Sequence, residues 1–212
     1  MSKKIFQKAE GFEAMEIKLV RRIKDGSEYL NTLIPKNGDI FVDVGAGRGE
    51  TCKNCKDYCN RTKIIAIEPN PDNVAVLRNV LKDSQHLIIQ RGVWDKKEDK
   101  ILYSIDPHRG RFHSYGQNGE AMFKIKADTL DSILNEHNIN CVDLIKIDTE
   151  GAEVQALGGF TKFRKGTKFH IECHNNLYDV LSLLLEKVAI INRITIFSNY
   201  ENEKLAQILG EF

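Results

Sequence analysis

The sequence has almost no surplus of charge of either sign: 31 Lys and Arg stand against 30 Asp and Glu, a formal net of +1. A nucleic-acid binder ordinarily carries a basic excess, so this balance argues against DNA or RNA partners. Long hydrophobic runs are missing as well. The longest, Val180 to Ile191, is broken by Glu186 and Lys187 and is too short to cross a bilayer, so no membrane insertion is expected. The opening stretch MSKKIFQKAEGFEAMEIKLV has charges but no apolar core and no small-residue cleavage site, so no signal peptide is expected either. No segment is low in complexity, and no unit repeats at solenoid or propeller spacing. Cysteines number five, an odd count, and without an export signal they read as reduced thiols of a cytoplasmic protein.

With 212 residues, 42% of them hydrophobic, the chain can build one domain with a substantial core. Residues 13–34 place Ile17, Val20, Ile23, Leu30, Leu33 and Ile34 at roughly helical spacing, split at Asp25-Gly26. Residues 1–36 are therefore expected to be an N-terminal helical segment of the same domain that occupies 37–212. From Ile40 the pattern alternates. IFVDV, IIAIE, HLIIQ, CVDLIKI and KFHIEC read as buried strands; helices are expected at 49–59, 71–81, 152–157 and 177–187. Such alternation implies an α/β fold: a mostly parallel, doubly wound, Rossmann-like sheet with helices on both faces. KILYSI and MFKIKA interrupt it as an antiparallel pair, and the tail from Ala189 reads as a closing hairpin, with a helix at 203–209 as the alternative.

The first of these strands runs into its helix through DVGAGRG, Asp43 to Gly49. Glycines there permit a tight turn and bring a ligand close to the backbone at a helix start. A dinucleotide G-x-G-x-x-G from Gly45 would need glycine where Glu50 stands. A carboxylate at the strand end suits a cationic ligand better than a pyrophosphate, and S-adenosylmethionine has a sulfonium and no phosphate. Glu68, 23 residues beyond Gly45, ends the next strand, where an acid ordinarily accepts the ribose hydroxyls. Cys52, Cys55 and Cys59 fall at i, i+3 and i+7 of the following helix and supply its apolar stripe, so packing is expected there and no metal.

VDLIKIDTEGAE carries Asp148 and Glu150 to the end of a buried strand, and HIECHNN brings Glu172 and His174 to the same edge. Asp148, Glu172 and His174 are the expected catalytic groups beside the cofactor's methyl, as general base or, less expected, as holders of a divalent ion such as Mg²⁺. Asp148 also counts as a cofactor contact. Glu153 reads as a helix-start charge, and His170, mid-strand, as a core histidine.

DIFVDVGAGRGE, IIAIEPNPDNVAVLRNVL, TLDSIL and VDLIKIDTEGAEVQALGG, in that order, resemble the FkbM family of methyltransferases, from about Asn37 to His174. The resemblance implies a class I methyltransferase sheet and O-methylation of hydroxyls on sugars, glycans or small natural products. It implies Asp43, Gly45 and Gly47 on the methionine side of the cofactor, Glu68 at the ribose and Gly92-Val93 at the adenine edge. Trp94 is left to stack on adenine or to fill the core. The loop DPHRGRFHSYGQNG offers His108, Arg109, Arg111 and His113 to an acceptor, as a lid would. Two other readings stand beside this one: a non-catalytic module binding the same cofactor, and a nicotinamide-dependent oxidoreductase. A homo-oligomer stays open.

Overall fold

The computed structural model describes residues 16–20, 33–104, 113–114, 120–187, 189–197 and 205–212. Among the described residues seventeen elements follow one another: β1 (Glu16–Val20), β2 (Ile40–Val44), α1 (Glu50–Tyr58), β3 (Lys63–Ile67), α2 (Pro71–Val80), β4 (Leu87–Ile89), β5 (Gly92–Val93), β6 (Glu98–Ser104), β7 (His113–Ser114), β8 (Glu120–Asp128), α3 (Leu130–Glu136), β9 (Val142–Ile147), α4 (Glu153–Gly158), β10 (Phe163–His174), α5 (Leu177–Glu186), β11 (Ile190–Phe197) and β12 (Leu205–Glu211).

Eight strands form the main sheet in the order β1-β11-β12-β10-β9-β2-β3-β4. β4, β3, β2, β9 and β10 run parallel, and β12 is antiparallel to both β10 and β11. Starting from β2 the chain first builds outward through β3 and β4, then returns to the other side of β2 with β9. The order therefore reverses between β2 and β9, and ligands of such sheets bind at the strand ends beside that reversal. Four further strands, β5-β8-β6-β7, form a second sheet, built on the longer β6 and β8.

Strand side chains alternate between two cores. Val42, Val44, Ile65, Ile67, Ile145 and Ile147 face one with Leu130, Ile133, Ala156, Leu157, Val180 and Leu184 of α3, α4 and α5. Phe41, Ile64, Ala66 and Leu144 face the other with Cys52, Cys55 and Leu77 of α1 and α2. The sheet is thus doubly wound. Caps fix the helix starts: Asn70 accepts from the Asp72 amide at 2.8 Å with Pro71 in the first turn, and Thr129 accepts from the Ser132 amide at 3.1 Å.

Two expectations are corrected, and one is met. Glu16–Val20, expected to be helical, is a strand parallel to β11; the rest of the expected helix through residue 32 lies outside the described residues. Within Glu16–Val20 the apolar Ile17 and Leu19 also alternate with Glu16 and Lys18 at strand spacing, and pairing with β11 decides. The tail is the expected closing hairpin, β11–β12, with Ile194 opposite Ile208. Finally, α3 follows Thr129 where no helix was expected, although Thr129, Leu130, Ile133 and Leu134 supply a cap and an apolar face. No helix among the described residues is long and apolar enough to cross a membrane.

Candidate active site

The glycine turn stands directly on β9. Gly45 has φ +76, and its amide and that of Ala46 both donate to the Ile67 carbonyl, at 2.9 and 3.1 Å. A Cβ on Gly45 would fall 1.8 Å from the Asp148 carbonyl oxygen, so glycine is required by close approach as well as by φ. A Cβ on Gly47 (φ +56) would meet nothing within 4 Å. That open space lies beside Glu68, whose Oε2 accepts from the Gly47 amide at 2.8 Å. Glu68 Oε1 accepts from the Asn70 amide at 2.9 Å and from Asn73 Nδ2 at 3.4 Å. Burial raises the Glu68 pKa, and these donors work against the rise. Three of a carboxylate's roughly four acceptor directions are used, which leaves acceptor capacity beside the open space at Gly47. The donor set and the space fit the ribose end of S-adenosylmethionine.

Asp43 is placed differently from expectation. It is fully buried; Oδ1 lies 3.1 Å from Lys146 Nζ, and Oδ2 accepts from the Cys52 thiol at 3.1 Å. It therefore faces inward and shapes the turn through Lys146, which also donates to the Gly45 carbonyl at 3.2 Å. Lys146 is itself buried and lies 3.4 Å from Asp148 Oδ2. Burial alone would depress its pKa, but Asp43 and Asp148 outweigh it and hold Lys146 charged. Sequence reading passed over Lys146, yet a lysine inside the apolar run VDLIKI is itself the signal, because a buried ammonium needs carboxylate partners.

The ends of β9 and β10 converge. Asp148 and Glu150 lie beside His174, whose Nε2 is 3.3 Å from Glu150 Oε2 and 3.8 Å from Glu172 Oε1. Glu172, expected to be catalytic, is buried, and its Oε2 accepts from Gln207 Nε2 at 3.1 Å while Oε1 lies on the Nε2 side of His174. Glu153 is far more than a helix-start charge. Fully buried, its Oε1 takes the Thr149 amide (3.1 Å), the Thr149 hydroxyl (3.2 Å) and the Gly151 amide (2.9 Å), and Oε2 takes Asn176 Nδ2 (2.6 Å). Its pKa falls because hydrogen bonding from His174, Gly151 and Asn176 overcomes the effect of burial. As a carboxylate it holds His174 Nδ1 at 3.0 Å, so Nδ1 carries the proton. Burial opposes charge on His174, but Glu153, Glu150 and Asp148 prevail and lift its pKa to about 10. Burial, together with the neighbouring carboxylates, raises Glu150 to about 7.

Gly92 and Val93 form β5, paired with Ala127 and Asp128 of β8, and both are buried. Trp94 neither fills a core nor stands bare: Lys100 Nζ sits 3.8 Å over its ring. Cys52 and Cys55 pack against α2, and burial raises both thiols, Cys55 to about 12. Cys59 lies past the end of α1 with its thiol 3.3 Å from Asn37 Oδ1, so the three sulfurs do not share one helical stripe. His108, Arg109 and Arg111 lie outside the described residues, and of the acceptor loop His113 is placed by its backbone alone, in β7 opposite Ser104.

Residues 43–193 match the methyltransferase FkbM domain. The chain belongs to the FkbM methyltransferase family. It has the fold of that enzyme class and is an S-adenosylmethionine-dependent methyltransferase. Solved structures share the fold. Precorrin-6y C5,15-methyltransferase of Geobacter metallireducens is 12% identical, with a TM-score of 0.54 over 86% of this chain and 84% of its own. The fibrillarin of Aeropyrum pernix, solved with S-adenosyl-L-methionine bound, is 16% identical with a TM-score of 0.53, over 82% of this chain and 67% of its own. No curated protein sequence matches the chain.

Proposed function

We propose that this FkbM methyltransferase transfers the methyl group of S-adenosylmethionine to a hydroxyl oxygen on a sugar, glycan or small natural product. The observation that carries the reading is the contact between the glycine turn and the end of β9: the Asp148 backbone closes against Gly45, so the Asp148 carboxylate belongs to the same strand-end edge as Gly47 and Glu68. Gly45, Gly47 and Glu68 hold the methionine and ribose portions, with Gly92 and Val93 at the adenine edge. Bound there, the cofactor supplies a methyl group on a positively charged sulfur.

The chain's own part is proton handling and charge placement. Asp148, whose side chain is 22% exposed, takes the acceptor's O–H proton as the O–CH₃ bond forms and the S–CH₃ bond breaks, the electron pair staying on sulfur. Lys146 fixes the orientation of Asp148 from the buried side, and His174, held by Glu153, lines the acceptor side of the same edge. An acid cluster of this kind suits the weakly acidic hydroxyl, which needs a base; an amine that is neutral needs none.

The test is methyl transfer from tritiated cofactor to separate sugar, phenol and amine acceptors, comparing the wild type with Asp148→Asn. A positioned base contributes about 10²–10⁴-fold, so the variant is expected to lose at least about two orders of magnitude in turnover with S-adenosylhomocysteine affinity little changed. Full turnover by Asp148→Asn, or label entering amine acceptors alone, overturns the assignment.

A further inference from the structure

Asp148, Glu150 and His174 each present one donor atom, and the three atoms lie within 4.8 Å of one another on a half-buried, solvent-reachable edge. An octahedral cation with bonds of about 2.1–2.3 Å spaces adjacent ligands by roughly 3.0–3.3 Å and opposite ones by roughly 4.2–4.6 Å. The 3.3 Å between His174 Nε2 and Glu150 Oε2 matches an adjacent pair. The imidazole is already oriented for ligation, and a bound cation takes the place of the proton that Nε2 otherwise shares with Glu150, releasing it to solvent. Glu153 holds Nδ1, which directs Nε2 toward the two carboxylates, and Glu153 is in turn anchored by Thr149, Gly151 and Asn176. A ring nitrogen pinned by a buried carboxylate, with its other nitrogen toward the ligand position, is the outer-shell arrangement that metal-binding histidines use. Glu172 adds a further carboxylate 3.8 Å from Nε2, while the one lysine of the cluster, Lys146, contacts Asp148 from below.

We propose that Asp148, Glu150 and His174 form a binding site for one divalent cation of the manganese–magnesium class. Two carboxylates favour a hard ion, the single imidazole favours Mn²⁺ over Ca²⁺, and no thiolate is present to select zinc. Three protein ligands leave positions for water and an acceptor oxygen, and a cation there makes an acceptor hydroxyl more acidic. That role rests on the hydroxyl-methylation reading; the binding itself does not.

The full chain, stripped with EDTA and dialysed, is titrated with Mn²⁺ while the paramagnetic resonance signal of the free ion is followed. One equivalent is expected to bind, with affinity at least about 10-fold weaker in Glu150→Gln and in His174→Gln. Glu153→Gln, which keeps all three ligands, is expected to weaken binding about 10–100-fold through the loss of histidine orientation. Circular dichroism of the same metal-free samples reports whether each variant is folded, and calorimetry with S-adenosylhomocysteine reports the cofactor site separately. Absence of Mn²⁺ binding by the wild type at about 1 mM, or equal binding by wild type and folded Glu150→Gln, overturns the site. Mn²⁺ binding without any S-adenosylhomocysteine binding would leave the site standing and remove the methyl-transfer reading.

Discussion

Replacing Lys146 with Met keeps the length of the side chain and removes its charge. In the native fold Lys146 Nζ lies 3.1 Å from Asp43 Oδ1, 3.4 Å from Asp148 Oδ2 and 3.2 Å from the Gly45 carbonyl oxygen. Asp43 is fully buried, so without the ammonium its charge has no water to turn to; the Cys52 thiol remains as a single weak donor. Breaking a buried pair by removing one partner costs about 3–5 kcal/mol. In a domain of this size each kcal/mol moves the melting temperature by about 2–4 °C, so Lys146→Met is expected to melt roughly 6–20 °C lower. Adding Asp43→Asn removes the stranded charge while keeping the shape, and Asp148 is exposed enough for water to answer its own. The double variant is therefore expected to recover more than half of the loss, although its total polar contacts are fewer. Circular dichroism melts of the wild type, the single and the double variant decide the matter. A single variant within about 2 °C of wild type, or a double variant no better than the single, refutes the argument that Lys146 is the charge holding Asp43 and the turn in place.

The two glycines of the turn are expected to separate stability from binding. Gly45→Ala drives a Cβ into the Asp148 carbonyl oxygen and is expected to cost about 3 kcal/mol or more, whereas Gly47→Ala meets no atom within 4 Å, costs about 1–2 kcal/mol from its positive φ and weakens S-adenosylhomocysteine binding instead; equal melting temperatures for the two would contradict this. Burial holds His170 near pKa 3, so below about pH 6.5 the unfolded chain takes up a proton that the native chain refuses. His170 is therefore expected to contribute a loss of about 1.4 kcal/mol of stability per pH unit as pH drops from 6.5 toward 3, and His170→Gln is expected to make the pH dependence shallower by that amount in urea unfolding at pH 7 and 4.5.

Much of this architecture was legible because buried parallel strands are written as unbroken apolar runs. IFVDV, IIAIE and VDLIKI announce β2, β3 and β9 to within a residue, and Pro71 announces the start of α2. The site was legible to the extent that its chemistry sits at strand ends: Glu68, Asp148 and His174 come to one edge of the sheet. What the pattern hid was direction and depth. Asp43 reads as a ligand-facing carboxylate until the register sets it beside Lys146 on the neighbouring strand. Glu153 reads as a charge at a helix start because its four partners come from Thr149, Gly151, His174 and Asn176, and a contact spanning 23 residues leaves no local trace. Glu16–Val20 was misjudged since a strand parallel to a partner almost the whole chain away is set by tertiary pairing and not by its own spacing.

The account rests on Glu68 and the glycine turn as the seat of the cofactor, and calorimetric titration with S-adenosylhomocysteine tests it most directly. Hydrogen bonds to a charged group contribute about 1.5–3 kcal/mol. Glu68→Ala is therefore expected to bind about 10- to 150-fold more weakly than a wild type of micromolar affinity, with NAD giving no heat in either. Undiminished binding by a folded Glu68→Ala protein would contradict the placement of the cofactor at the ends of β2 and β3.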